Sequence, residues 1–207
     1  AILSETPEIY GAEHLLLARA RSQSVAEDLQ ERLGWWHDYA KRNGADLNNN
    51  PSPGNLAGGV TTILEKSLGA VAKSGTSPLN AVCQYAQAAP TSGFVFMDSP
   101  GYDPCSVTGQ IAAGANLICF TTGRGSVFGS KPAPTIKLAS NSAMARRMSD
   151  DIDIDCGRAL EEPITLQELG AEIFEHILRT ASGQPTQSEA NDLGDHEFVP
   201  WIIGAAM

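Results

Sequence analysis

Gly93-Phe94-Val95-Phe96-Met97-Asp98-Ser99-Pro100-Gly101-Tyr102-Asp103-Pro104 is a short apolar run closed on both sides by turn-forming residues. Thr91-Ser92-Gly93 leads in and Asp98-Ser99-Pro100-Gly101 leads out. This makes Gly93–Met97 a strand and the residues after it a strand-exit loop rich in hydrogen-bonding groups. A short helix from Pro104 to Ala113 comes next and carries Ser106, Thr108 and Gln110.

Working outward, the same alternation recurs. Downstream, Asn116–Phe120 is a strand that runs into Thr121-Thr122-Gly123-Arg124-Gly125-Ser126. Pro134–Ala139 is another, with Lys137 in its middle, which places that lysine either at an edge or beside a partner. Asn141 is set to cap a helix over Ser142–Ser149, and Asp150–Gly157 alternates acid and Ile at the strand period. Thr165–Ala181 is a helix with Leu166, Leu169, Ile173, Ile177 and Leu178 as its buried stripe, stopped by Gly183-Gln184-Pro185. Upstream, Ala1–Ser4 is a strand, followed by Glu5-Thr6-Pro7 and a helical pattern over Ile9–Ala20. Ser24–Asn43 is a helix with Val25, Leu29, Leu33, Trp36 and Ala40 on its apolar face and Gly44 at its end. A helix over Thr61–Ser74 and an element over Ser77–Gln87 complete the series. Strands alternating with helices predict an α/β fold: three layers, a largely parallel sheet with helices on both faces, Rossmann-like. The expected organisation is one α/β domain over residues 1–207, with residues 184–207 a tail docked through Phe198, Val199, Trp201, Ile202 and Ile203.

Composition narrows the function. The chain has 207 residues, 42% hydrophobic and 18% charged, enough apolar content for a core. A net charge of −10 argues against non-specific nucleic-acid binding. No apolar run approaches the roughly 20 residues of a membrane span. Cys83, Cys105, Cys119 and Cys156 are widely spaced with no Cys-x-x-Cys pair, which disfavours a zinc site or a disulfide framework and suggests a reducing cytoplasm.

Two stretches look chemical. Asn48–Lys66 is dense in Asn, Pro and Gly and cannot begin as regular structure, with Pro51, Pro53, Gly54, Gly58 and Gly59 before a helix capped by Thr61 or Thr62. Thr62 and Glu65 have capping-box spacing. Val60, Leu64, Leu68 and Val71 share one face of that helix, and Thr62, Lys66, Gly69 and Lys73 the other. The stretch reads either as an anion site with a lysine base or clamp, or as a Gly-rich loop before an ordinary solvated face. The second is Thr121–Ser126, where Arg124 can grip a carboxylate with two parallel hydrogen bonds and the glycines bring a ligand to backbone N–H groups. Both follow strands or precede helices, where open α/β sheets bind ligands, and Glu5 sits at such a strand exit too. The Asp150–Asp155 acids are either a divalent-metal cluster or solvated side chains of a half-exposed strand, with Asp153 or Asp155 paired to a nearby Arg or Lys.

Asn50-Pro-Ser-Pro-Gly-Asn55 with Ala57-Gly-Gly59, Glu65-Lys-Ser-Leu-Gly69, Lys73-Ser-Gly75, Phe120-Thr-Thr-Gly-Arg-Gly125 and Asp153-Ile-Asp-Cys-Gly157 occur in this order. Together they resemble the carboxyl-terminal part of the altronate dehydratase and galactarate dehydratase family, from Ser4-Glu5-Thr6-Pro7-Glu8 to Phe198-Val-Pro-Trp201. The resemblance implies a cytoplasmic hydro-lyase of carbohydrate-acid catabolism that takes water from altronate or galactarate and leaves a 2-keto-3-deoxy acid. It implies a divalent metal, iron(II) or manganese(II), and an upstream domain of the same polypeptide as partner. It also admits a related lyase acting on a sulfonated hydroxy acid. The partners expected are a small sugar acid, that upstream domain and, in a homo-oligomer, further copies of the chain, with neither nucleic acid nor membrane.

Residue chemistry suggests the parts. A base must take a weakly acidic proton beside a carboxylate, positive charge must stabilise the enediolate, and an acid must protonate the leaving β-hydroxyl. Lys66 is the first choice for the base and Lys73 the second, with Glu65 beside them. Asn55, Thr121 and Thr122 would bond the substrate hydroxyls, and Gly123, Arg124 and Gly125 its carboxylate. Glu5 and Glu65 are candidate acids or metal ligands. The competing class is a non-catalytic sugar-acid-binding or assembly domain carrying the same loops.

Overall fold

The structure, a computed structural model, describes residues 1–47 and 53–204; the Asn48–Ser52 part of the Asn/Pro/Gly-rich loop lies outside the described residues. By its internal packing the chain divides into two compact units, Ala1–Ala115 with the segment from Val199 onward, and Asn116–Phe198. Each holds a three-stranded, all-parallel sheet with helices around it, the three-layer α/β class that the alternation predicts.

The first unit is built around the Phe94–Met97 run. Its strands are β1 (Ile2–Leu3), β2 (Leu79–Cys83) and β3 (Phe94–Met97), in the order β1-β3-β2. The central strand β3 aligns Val95 with Ile2 and Phe96 with both Leu3 and Val82. Its side chains alternate across the sheet, so one strand serves two cores. Phe94 and Phe96 pack with Leu79 of β2 and with Ile9, Leu16, Leu29 and Val71, from the 3-10 helix Thr6–Ile9 and the helices α1 (Glu13–Leu17), α2 (Gln23–Arg42) and α4 (Ile63–Ala72). Val95 and Met97 pack with Cys83 and Ala113, toward α5 (Asp103–Ala112). Gly109 lets α5 lie close, because a Cβ there would stand 2.4 Å from the Tyr85 ring.

Several local expectations change. The helix expected over Ile9–Ala20 is a 3-10 turn followed by the short α1, because Gly11 between them turns the chain with φ at +85°. The Asn/Pro/Gly stretch does contain regular structure: α3 (Pro53–Ala57) starts with proline in its first turn and ends at Gly58 and Gly59. In α4 the face turned inward carries Ile63, Lys66, Ser67, Ala70 and Val71, while Leu64 and Leu68 are each 44% exposed. Of the apolar stripe assigned to that helix, Val71 is buried in the core and Val60 is half-buried, while Leu64 and Leu68 face solvent. At the end of the chain Trp201 stacks on Trp36 with ring centroids 5.3 Å apart, whereas Phe198, Ile202 and Ile203 are exposed.

The second unit orders its strands β4 (Ile118–Thr122), β5 (Thr135–Ala139) and β6 (Ile154–Asp155). Central β5 again feeds two cores. Ile136 and Leu138 meet Leu169 of α8 (Leu166–Ala181), and Ala139 meets Met144 and Ala145 of α6 (Ser142–Arg147), which Asn141 caps. Helix α7 (Arg158–Glu161) and the short α9 (Gln187–Ala190) complete the unit. Lys137 is fully buried in this central strand and is partnered, as an interior lysine must be. Its Nζ donates to the Phe128 carbonyl at 3.2 Å and to Ser188 Oγ at 2.6 Å. Burial pushes its pKa down, against the pull of Asp151, Asp153 and Glu197. In α8 only Leu169 of the expected stripe is fully buried; Ile173 and Ile177 are half-buried, and Leu166 and Leu178 are exposed. All four cysteines are free, and no helix among the described residues is long and apolar enough to cross a membrane.

Asp98 locks the first unit together. It is buried at the exit of β3 and accepts hydrogen bonds from Trp36 Nε1 at 2.7 Å and Thr6 Oγ1 at 2.5 Å. Burial pushes its carboxyl up and the two donors pull it back. Asp98→Ala strands both donors in the core, and the expected loss is about 2–4 kcal/mol. Urea unfolding of the two proteins measures it, and a loss below about 0.5 kcal/mol would show that neither bond matters to stability.

Candidate functional site

Parallel strands β1 and β3 end side by side, so the loops leaving them share one end of the sheet. Glu5 leaves β1 in the left-handed region, φ 76° and ψ 71°, as the residue that opens the Thr6–Ile9 turn. Pro7 fixes the start of that turn. Ser99, in the exit loop of β3, receives the Glu5 N–H on its Oγ at 2.9 Å, and its carbonyl receives the Thr6 N–H at 3.0 Å. The two exits are thereby tied at consecutive residues.

One turn on, Glu8 meets α4. Lys66 Nζ lies 3.0 Å from Glu8 Oε1 and 2.7 Å from Oε2, an ion pair with both side chains largely buried. Gly101 makes room for it, since a Cβ there would stand 2.9 Å from Glu8 Oε1. Glu5 is half-buried in this densely packed end of the sheet. Burial pushes its carboxyl up to about 8, and the charges of Asp103 and Glu8 add to this while Lys73 and Lys66 oppose it. Asp103 opens α5 as an exposed residue, yet its carboxyl is also raised, chiefly because neighbouring atoms desolvate it and further by Glu8, against Lys73 and Lys66. The structure thus gathers three carboxyl groups and two lysines. A carboxyl group that stays neutral near pH 7 beside fixed positive charge can give a proton and can face a developing anion.

The sequence-predicted residues divide by unit. Glu5, Lys66 and Lys73 belong to this cluster. Glu65 is committed to capping: its carboxylate faces solvent, accepts from Thr61 N at 2.9 Å and Thr61 Oγ1 at 2.8 Å, and these bonds hold its pKa down. Thr62 caps the same helix end through Glu65 N. The amino end of α4 therefore already holds a carboxylate. Asn55 lies half-buried in α3, where its carbonyl accepts from Val60 N at 3.1 Å. Sequence reasoning misses Glu8 and Asp103. The signals that could have found them are the placing of Glu8 three residues after Glu5 and of Asp103 in the exit loop of β3.

Thr121, Thr122, Gly123, Arg124 and Gly125 form the exit of β4 in the second unit. Thr122 Oγ1 accepts from Gly125 N at 3.0 Å, and Asn141 Nδ2 donates to the Gly123 carbonyl at 2.9 Å. Arg147 donates to the Arg124 carbonyl at 2.9 Å. The Arg124 side chain is exposed and forms no ion pair with a described residue. The Asp150–Asp155 acids bind protein donors. Asp153 accepts the backbone N–H of Lys137 at 2.7 Å and of Gln187 at 2.8 Å, and Asp155 accepts Ser142 Oγ at 3.1 Å and Gly157 N at 2.9 Å. Among the described residues neither forms the ion pair with an Arg or Lys side chain that the sequence suggests. Among the described residues no group of three His, Cys, Asp or Glu side chains is placed to hold a metal ion, so these residues do not fit the divalent metal implied by the resemblance.

Residues 1–206 match the family model described as D-galactarate/altronate dehydratase, C-terminal. The chain is 34% identical over 191 residues to an altronate dehydratase of Bacillus subtilis, covering 92% of this chain and 38% of that protein. It is 37% identical over 183 residues to the galactarate dehydratase (L-threo-forming) of Escherichia coli, covering 88% and 35%. It is 38% identical over 201 residues to the (2R)-sulfolactate sulfo-lyase subunit beta of Chromohalobacter salexigens, covering 96% and 51%. The chain thus spans between about a third and a half of the relatives it matches.

The raised Glu5 carboxyl gives stability a pH dependence of definite sign. The unfolded chain ionises Glu5 near 4.5 and the folded protein near 8. The stability this group contributes is complete below 4.5 and is lost as pH rises toward 8, with a slope of at most about 1.4 kcal/mol per pH unit. Glu5→Gln removes that slope. Urea unfolding between pH 4.5 and 8.5 should show the variant gaining on the native protein steadily with pH, and parallel curves would place the Glu5 carboxyl at an ordinary value.

Proposed function

We propose that this chain, which belongs to the D-galactarate/altronate dehydratase family as its C-terminal part, is a working portion of a hydro-lyase that removes water from a sugar acid, altronate or galactarate. The names of the Bacillus and Escherichia relatives support the class. The observation that carries the chemistry is the cluster of Glu5, Glu8, Asp103, Lys66 and Lys73 at the strand exits of the first unit. It contains what an elimination beside a carboxylate needs.

In this proposal Glu5 is the acid. With its pKa near 8 it is neutral at pH 7 and can deliver a proton to the departing hydroxyl. Lys66 is held by Glu8 as a fixed positive charge, so its part is to stabilise the enediolate, with Lys73 adding to the field. That moves the base from a lysine to a carboxylate. Asp103 suits the role, since a raised pKa makes its ionised form a stronger base than an ordinary aspartate. Arg124, in the second unit, is proposed separately from that cluster as a carboxylate-binding group, on a planar guanidinium that forms no ion pair with a described residue. Iron(II) or manganese(II) is proposed as cofactor only with ligands from outside the described residues, which hold no group fit for it, and none of these steps runs through it.

The test is turnover by the full-length protein, supplied with iron(II) or manganese(II), of altronate, galactarate and (2R)-sulfolactate, monitoring the 2-keto acid. One sugar acid should be consumed. Lys66→Met should lower kcat at least about 100-fold with the circular dichroism spectrum unchanged. A variant within about threefold of the native rate would remove Lys66 from the chemistry. Consumption of (2R)-sulfolactate alone would replace the dehydratase proposal with the sulfo-lyase one.

A further inference from the structure

Glu5 holds a backbone conformation that side chains with a Cβ avoid, at a cost of about 1–3 kcal/mol. Something must hold it there, and the structure shows what does. The Glu5 N–H donates to Ser99 Oγ at 2.9 Å. Ser99 Oγ in turn lies 3.2 Å from Ser106 Oγ on α5 and 3.1 Å from the Pro100 carbonyl. Ser106 Oγ pairs with Ser4 Oγ at 2.5 Å, and Gln110 Nε2 donates to Ser4 Oγ at 2.7 Å. Ser4, Ser99 and Ser106 are 6%, 0% and 3% exposed. Three hydroxyls have thus been taken out of water, a placement that favours folding only because each has a partner. Apolar residues would fill the same volume with less to satisfy, so the chain's distinctive product is the geometry it imposes on Glu5.

We propose that Ser99 is a positioning residue for the elimination: through its hydroxyl, backed by Ser106, Ser4 and Gln110, it fixes the left-handed backbone of Glu5 and so aims that side chain among Glu8, Lys66, Lys73 and Asp103. This rests on the assignment of Glu5 as the proton donor. The chain of hydroxyls reaches the Glu5 backbone and not its carboxyl, so its action is on position. The groups facing Glu5 come from three elements, Glu8 on the 3-10 turn, Lys66 and Lys73 on α4 and Asp103 on α5, and a shift of about 1 Å alters its distance to all of them.

Ser99→Ala in the full-length protein tests this by two readouts. The first is the split between kcat and KM on the sugar acid that the native protein consumes. We expect kcat to fall about 10- to 100-fold with KM within about threefold. The second is hydrogen exchange of the Glu5 amide, which should quicken at least about 10-fold once its acceptor is gone, while β3 amides keep their protection. Exchange at Glu5 as slow as in the native protein overturns the proposal whatever the kinetics, and so does a native kcat. If the native protein consumes no sugar acid, the functional assignment fails by itself and the exchange readout alone decides whether Ser99 holds Glu5. If Ser99→Ala does not fold, Ser106→Ala, which removes the hydroxyl behind Ser99, takes its place under the same criteria.

Discussion

Ser99 bonds Glu5 with its side chain and Thr6 with its carbonyl, and much of the first unit depends on that double contact. Strand β1 is two residues long and aligns with β3 through Ile2 and Leu3 alone. So short a strand fixes little beyond its own register. The turn after β1 is placed by the exit of β3, through Ser99 and through Asp98, which takes the Thr6 hydroxyl and the Trp36 indole together. The polar exit loop therefore does for β1 what length does for other strands. It also determines where Glu5 and Glu8 face, because the 3-10 turn that carries them begins at the contact.

Electrostatics in the cluster derive from one allocation. Lys66 is in direct contact with Glu8, and Glu5 feels both lysines only as opposing charges that burial outweighs. Had Lys66 met Glu5 instead, the same desolvation would have been offset by a close ion pair, and the acid would have ionised at lower pH. The pairing with Glu8 leaves one carboxyl neutral and one lysine positively charged within a single strand-exit region. Asp98 shows the contrast. It too is buried and raised, but its Oδ1 accepts from both Thr6 and Trp36, which makes it a fastening within the core.

The layered fold was legible where burial is continuous. Phe94–Met97 and Thr135–Ala139 are uniformly buried, and an unbroken apolar run reports that directly, even with Lys137 inside it. Caps were legible as well, Asn141 for α6 and Thr62 with Glu65 for α4, because they depend on local spacing. Faces were less so. Leu64 and Leu68 mark an apolar side of α4, yet the packed side carries Lys66 and Ser67, since which face turns inward is settled by the neighbours and not by the helix. The site shows the same limit. Glu5 stood out at a strand exit, whereas Glu8 lay just ahead of an apparent helix that Gly11 in fact interrupts, and Asp103 sat unnoticed in the very loop that revealed the fold.

The glycine-rich loop of the second unit shows how packing and binding can be separated in one motif. Gly125 has φ at +98°, and a Cβ there would stand 2.0 Å from Met148 Sδ; at Gly157 it would stand 2.2 Å from Ser142 N. Gly123 is close to Ser140 Oγ in the same way, at 3.2 Å. These glycines are therefore accounted for by the close approach of loops within the unit, with Thr122 and Asn141 bonded to the same turn, and they need no ligand to explain them. Arg124 is different. Its carbonyl is held by Arg147, which fixes the backbone, while its guanidinium is exposed. Three hydrogen bonds hold the turn that carries this arginine, whose guanidinium forms no ion pair with a described residue. Packing within the unit therefore accounts for Gly123 and Gly125, and the exposed guanidinium of Arg124 is not part of that packing.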